Sequence, residues 1–158
     1  MKLVAKVIPI CALIVLPLLL FGCSPAESPS LEFMQDATSE LTCEMFQEQP
    51  HHSGNIVLGV DGTLTVILCS NQTTGFQWSE SPEISDQTVL QQTAHEFIPP
   101  EDLAERPPPA GSPGKEVWTF KTLKKGTSTI SFEYSRPWEG GEKGEWTFNL
   151  EVHARERS

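Results

Sequence analysis

The sequence is poor in basic residues, in cysteine and in any spacing that would build a catalytic centre. Only 11 Lys and Arg stand against 21 Asp and Glu in 158 residues, a formal charge of −10. A nucleic-acid binder neutralises phosphates with a basic face, and here the basic residues are few and scattered, so that class is excluded. Four cysteines are too few to staple a disulfide mini-protein, so an apolar core must carry the fold. Hydrophobic residues at 38% and charged residues at 20% are enough to build one. His51, His52, His95 and His153 fall in no metal-ligand spacing. No Gly-rich phosphate loop follows a strand, and no Gly-x-Ser-x-Gly elbow is present. Glu101, Asp102 and Glu105 read as a solvated acidic stretch rather than a general acid/base pair. The expectation is a protein that is not an enzyme and takes no metal or cofactor.

No apolar run is long and unbroken enough for a stable transmembrane helix. Residues 7–21 come nearest, but Pro9 and Pro17 interrupt them, and Lys2 and Lys6 precede them. This is the layout of a secretion signal. Its ending, Leu20-Phe21-Gly22-Cys23, resembles a bacterial lipoprotein signal, which implies cleavage after residue 22 and a lipid on Cys23. The expected location is then the extracytoplasmic side of the cell envelope, with ordinary secretion as the alternative. Loss of residues 1–22 removes two lysines and no acid, leaving 9 basic groups against 21 acidic, a net −12. Of the cysteines, Cys43 and Cys69 then remain. Outside the cytoplasm such a pair is expected to be bridged, two buried thiols being the alternative.

Residues 23–39, rich in Ser, Pro, Glu and Ala and without apolar period, read as a tether. Residues 40–158 read as one domain. There the dominant signal is period-two alternation. Ile56, Leu58 and Val60 share a face, Asp61-Gly62 has the form of a two-residue hairpin turn, and Leu64, Val66 and Leu68 follow. Trp118 and Phe120, then Ile130, Phe132 and Tyr134, then Trp146, Phe148, Leu150 and Val152 repeat the pattern. Residues 76–78 and 89–97 are weaker strand candidates. No amphipathic helical stretch of convincing length is apparent. The class is all-β, an immunoglobulin-like antiparallel β-sandwich, whose loops are where a rigid scaffold presents function.

Three connections stand out. The first, Asn71-Gln72-Thr73-Thr74-Gly75-Phe76, places two uncharged hydroxyls beside a glycine that tolerates positive φ. The second runs through Pro107, Pro108 and Pro109 to Gly111-Ser112-Pro113-Gly114. Its prolines stiffen it, and its glycines expose bare backbone. The third, Arg136-Pro137-Trp138 before Gly140-Gly141, sets a guanidinium beside an indole, the residue types most enriched at binding hot spots.

These motifs, in this order over about residues 55–153, resemble the chagasin family, inhibitors of papain-like cysteine proteases. The first loop resembles the family's Asn-Pro-Thr-Thr-Gly-Phe/Tyr loop, with Gln72 where the family has Pro. Arg136-Pro137-Trp138 is similar to its third-loop motif, and residues 111–114 fall at its short Gly-rich second loop. The resemblance implies three loops at one end of an immunoglobulin-like sandwich that together and reversibly block a papain-like protease. Thr73 and Thr74 would approach the catalytic Cys and His, Trp138 would pack beside that His, Arg136 would make contacts at the rim, and a monomer would suffice. The alternative is a non-inhibitory, lipid-anchored module that holds a glycan or a surface protein.

Overall fold

The computed structural model describes residues 34–100 and 108–156. The expectations for the signal, for Cys23 and for the first part of the tether lie outside the described residues. So do residues 101–107, at the start of the second loop.

Strands β6 (Gly114–Thr122), β7 (Gly126–Ser135) and β8 (Trp146–Arg155) form where the alternation is strongest. Trp118, Phe120, Ile130, Phe132, Leu150 and Val152 are buried on their inner faces. The long strand β2 (His51–Ser70) is the organiser of the sheet. Residues 51–59 pair in parallel with β8, while residues 63–70 pair antiparallel with β6. By exchanging partners midway, β2 carries the chain from one half of a curled sheet to the other. Short strands β3 (Gln77–Trp78) and β4 (Glu83–Ile84) pair with β7, and β5 (Leu90–Ile98) flanks β6. The path runs β3-β7-β8-β2-β6-β5. The two halves face each other across the core, where the Trp118 ring of β6 meets the Phe132 ring of β7 with centroids 4.9 Å apart.

Three expectations are corrected. Asp61-Gly62 is not a hairpin turn but the kink in β2: Asp61 takes φ 64 and the strand continues. The Thr122 hydroxyl holds the kink, accepting from Gly62 N at 2.8 Å and donating to Gly59 O at 2.7 Å. A left-handed residue serves a bulge as well as a reversal, and the partners on either side decide which forms. Second, Met34–Leu41 is a strand, β1, paired in parallel with β2, so the segment assigned to the tether already contributes to the sheet from residue 34. Third, the sheet is not wholly antiparallel, because β1 and β8 both run parallel to β2.

A single helical turn and a half, α1 (Cys43–Glu48), follows β1. Thr42 caps it, its hydroxyl accepting from Met45 N at 3.3 Å. The helix buries Phe46 and is cross-linked to the end of β2 by the Cys43–Cys69 disulfide, with the two Cα atoms 5.1 Å apart.

Candidate functional site

The three loops lie together at one end of the sheet, and direct contacts join them. The first begins where β2 ends. Asn71 caps a 3-10 turn over Gln72–Thr74, with its Oδ1 accepting from Thr73 N at 3.3 Å and from Thr73 Oγ1 at 2.7 Å. Thr74 Oγ1 donates to Asn71 O at 2.7 Å and accepts from Phe76 N at 3.3 Å. Gly75 closes the turn at φ 80, the left-handed value that glycine adopts without steric cost. Both threonine hydroxyls are thus engaged within the loop, which sets its shape before any partner arrives. Gln72, Thr73 and Thr74 are exposed, and none carries a charge.

The second loop is tied to the first by Asn71 Nδ2, which donates to Gly111 O at 2.9 Å. Ser112 donates twice to Pro109 O, from its amide at 3.0 Å and its hydroxyl at 2.7 Å, and Gly111 takes φ 86. Gly111 and Pro113 are exposed, and Ser112 is half-buried. Gly114 differs from them: it is buried as the first residue of β6, and a Cβ there would lie 2.4 Å from Ile98 O. Its backbone is therefore packed against Phe97 and Ile98 of β5.

The third loop leaves β7 and turns at residues 138–141, where Gly141 N donates to Trp138 O at 3.0 Å. Arg136 N donates to Glu142 O at 2.8 Å, and Lys143 Nζ donates to Arg136 O at 2.7 Å. The Trp138 indole does not fold into the core. It is 52% exposed, with its edge over Gly75, where an added Cβ would meet Cη2 at 2.9 Å. Pro137 beside it is exposed too.

Arg136 is not merely a rim residue. Its guanidinium lies 4.4 Å from the centroid of Phe76 and 5.9 Å from that of Trp138, bridging the first and third loops, with Glu142 Oε2 3.7 Å from its Nη1. Behind it runs a ladder of near-parallel rings. Phe76 stacks on Tyr134 at 5.5 Å, Tyr134 on Trp146 at 4.8 Å, and Trp146 on Phe46 of α1 at 5.0 Å. The Tyr134 hydroxyl also accepts from Asn71 N at 2.9 Å. The ladder seats the first loop on strands β7 and β8 and on the disulfide-linked helix.

Beneath the first and second loops lies a polar cluster that sequence reasoning missed. Glu116, only 3% exposed, accepts from Ser70 Oγ at 2.7 Å and sits 2.9 Å from His95 Nε2. His95 in turn stacks on Trp118 at 4.8 Å. The alternation of β6 places Glu116 on the inward face with Trp118, and that position was the available signal. Among the described residues no group of His, Cys, Asp and Glu is placed to hold a metal ion.

Residues 57–152 match the model of the chagasin family of peptidase inhibitors, I42. Chagasin from Trypanosoma cruzi is 29% identical over 96 residues, which span 57% of this chain and 79% of that protein. The crystal structure of the cysteine protease inhibitor EhICP2 from Entamoeba histolytica superposes with a TM-score of 0.55 at 25% identity, covering 76% of this chain and 97% of that one. With the family match extending over more than half its length, on an immunoglobulin-like β fold, the chain belongs to the chagasin family and is an inhibitor rather than an enzyme.

Proposed function

We propose that this protein inhibits papain-like cysteine proteases reversibly, by seating its three loops across the active-site cleft. The observation that carries this reading is the joining of the loops into one preorganised surface with an uncharged first-loop tip, in which Asn71 holds Gly111 and Arg136 links Phe76 to Trp138. Thr73 and Thr74 form the tip that enters the cleft, Gly75 lets backbone pass close to the catalytic Cys, and Gly111, Ser112 and Pro113 grip the far side. Trp138 packs on the protease surface next to the catalytic His.

Occlusion then follows from elementary energetics. A loop fixed by its own hydrogen bonds loses little entropy on docking, so an interface of about 800 Å² per partner reaches nanomolar affinity. The loop escapes cleavage provided that no carbonyl is held where the protease thiolate attacks, since that chemistry requires a near-attack geometry. The inhibitor is a monomer held at the extracytoplasmic face of the cell envelope by a lipid on Cys23, and its acidity serves solubility and steering. The test is a titration of the soluble domain, residues 34–158, against papain with a fluorogenic peptide. Stoichiometric loss of activity is expected, and full activity at micromolar domain overturns the proposal.

A further inference from the structure

An open groove of about 450 Å³ runs beside the first loop. Its inner side is formed by Phe76, Tyr134 and Trp146, its outer wall by Cys43 and Gln47 of α1, and Glu145 lies at its edge. The faces of these three rings are covered by one another, by the Arg136 guanidinium over Phe76 and by Phe46 on Trp146, which leaves their C–H edges to the groove. Such edges pack well against methylene groups and do not hold a bare cation. Glu145 is exposed, and its carboxylate has no ion-pair partner among the described residues, whereas Glu142 is paired with Arg136 and Glu40 with Lys115. No lysine or arginine lines the groove among the described residues.

We propose that this groove is a fourth subsite, which receives one lysine or arginine side chain projecting from the rim of the bound protease. The aliphatic stem lies along the ring edges while the charged head reaches Glu145, the division that long basic side chains favour at a surface. This rests on the inhibitor reading above, and two observations connect it to that surface. Asn71, Thr74, Gly111 and Pro113 line the groove and also belong to the first and second loops, so a protease seated on the loops roofs it. A chain of net charge −10, with an unpaired carboxylate at the groove's edge, complements a basic group and repels an acidic one. The outer wall comes from α1, residues 43–48, which precede the 57–152 stretch matched by the family model. The Cys43–Cys69 disulfide fixes that wall in place. Because its outer wall lies outside the three loops, the subsite sets preference among proteases rather than inhibition as such.

The experiment compares inhibition constants of the disulfide-bonded domain, residues 34–158, for papain and cathepsin L. Glu145→Gln, Glu145→Lys and Gln47→Trp are measured beside Trp138→Ala, with melting curves to show that each is folded. For at least one of the two enzymes, Glu145→Gln should weaken inhibition about fivefold and Glu145→Lys thirtyfold or more, chiefly through faster dissociation. Gln47→Trp, which fills the groove without altering charge, should weaken inhibition of the same enzyme at least tenfold. Constants within twofold of the parent for both Glu145→Lys and Gln47→Trp, with Trp138→Ala impaired, overturn the subsite and leave the loop reading intact. Weakening by Glu145→Lys without weakening by Gln47→Trp also overturns it, because charge then acts at a distance rather than in the groove. If Trp138→Ala is also without effect, the loop reading fails and the subsite with it.

Discussion

The edge of the Trp138 indole rests on the bare α-carbon of Gly75: a methyl group built there would lie 2.9 Å from Cη2. The first and third loops are therefore in register only because residue 75 has no side chain. Gly75→Ala introduces two costs, a left-handed backbone at φ 80, worth about 1–2 kcal/mol, and a displaced indole. The expected result is a melting temperature lowered by about 5 °C and inhibition of papain weakened roughly tenfold, as about 1.4 kcal/mol of lost contact would give. If displacement of the indole is the cause, Gly75→Ala adds little to the loss in a Trp138→Ala background. A double-mutant cycle on the inhibition constants measures that coupling.

Among the described residues Trp138 is the one large aromatic at the loop end that is more than half exposed, so its truncation leaves the core untouched. Trp138→Ala should leave the melting curve unchanged while weakening inhibition by about 2 kcal/mol or more, roughly 30-fold. Thr74→Trp, which enlarges the tip and breaks the bonds to Asn71 O and Phe76 N, should have a comparable effect by blocking entry to the cleft. Unchanged inhibition constants in both variants would remove these residues from the contact surface.

The Cys43–Cys69 bridge closes a separation of 26 residues, which in the chain-entropy model stabilises the fold by about 3.5 kcal/mol. Replacing both cysteines with Ala should lower the melting temperature by more than about 10 °C, and alkylation of the parent protein without reductant should find neither thiol free. Loss of the bridge also frees α1, whose Phe46 ends the ring ladder under the first loop.

Much of this was legible in the sequence, and the exceptions have physical causes. The strands around Trp118, Phe132 and Leu150 announce themselves because one face is apolar and the other polar. The three loops stand out because their glycines, prolines and Trp138 are unusual between such strands. Strand β1 was hidden because its inward positions, Gln35, Ala37 and Ser39, are polar or small and leave no apolar period. The parallel pairings of β2 follow from long-range partner choice, which local pattern does not encode. The Asp61-Gly62 pair is a correct sign of a left-handed residue, but a kink and a hairpin require the same one. Phe46 lies in a six-residue helix too short to show a period, and only Cys43, three residues before it, hinted that its segment is held to the core.

Away from the loops, Asp86 Oδ1 accepts from the Thr88 hydroxyl at 2.5 Å and from Thr88 N at 2.8 Å. The hydroxyl bond foremost, and the amide bond after it, hold the Asp86 carboxyl below its ordinary value. A depressed carboxylate contributes stability that is present above its unfolded-state pKa and is lost as pH falls through the folded value. Thr88→Val should therefore raise the Asp86 midpoint in an NMR titration and make unfolding easier at neutral pH than in the parent, the two proteins converging at low pH. Inhibition should be unaffected.

The buried Glu116 gives the sharpest separation between folding and binding. Its carboxylate partners both Ser70, the last residue before the first loop, and His95 on β5, and little water reaches it. Removing the carboxylate strands a hydroxyl and an imidazole. Part of that loss is screened, because the His95 side chain is 20% exposed. Glu116→Ala should thus cost about 2–3 kcal/mol, read as a lower midpoint in urea with an unchanged slope. Glu116→Gln, which keeps an acceptor for Ser70, should cost less. In both, the fraction that remains folded should inhibit papain with nearly the parent constant, because Asn71 is still held by the Tyr134 hydroxyl at 2.9 Å and by Gly111 O at 2.9 Å. A large rise in the inhibition constant with an unchanged urea midpoint would instead make Glu116 a positioning residue for the first loop.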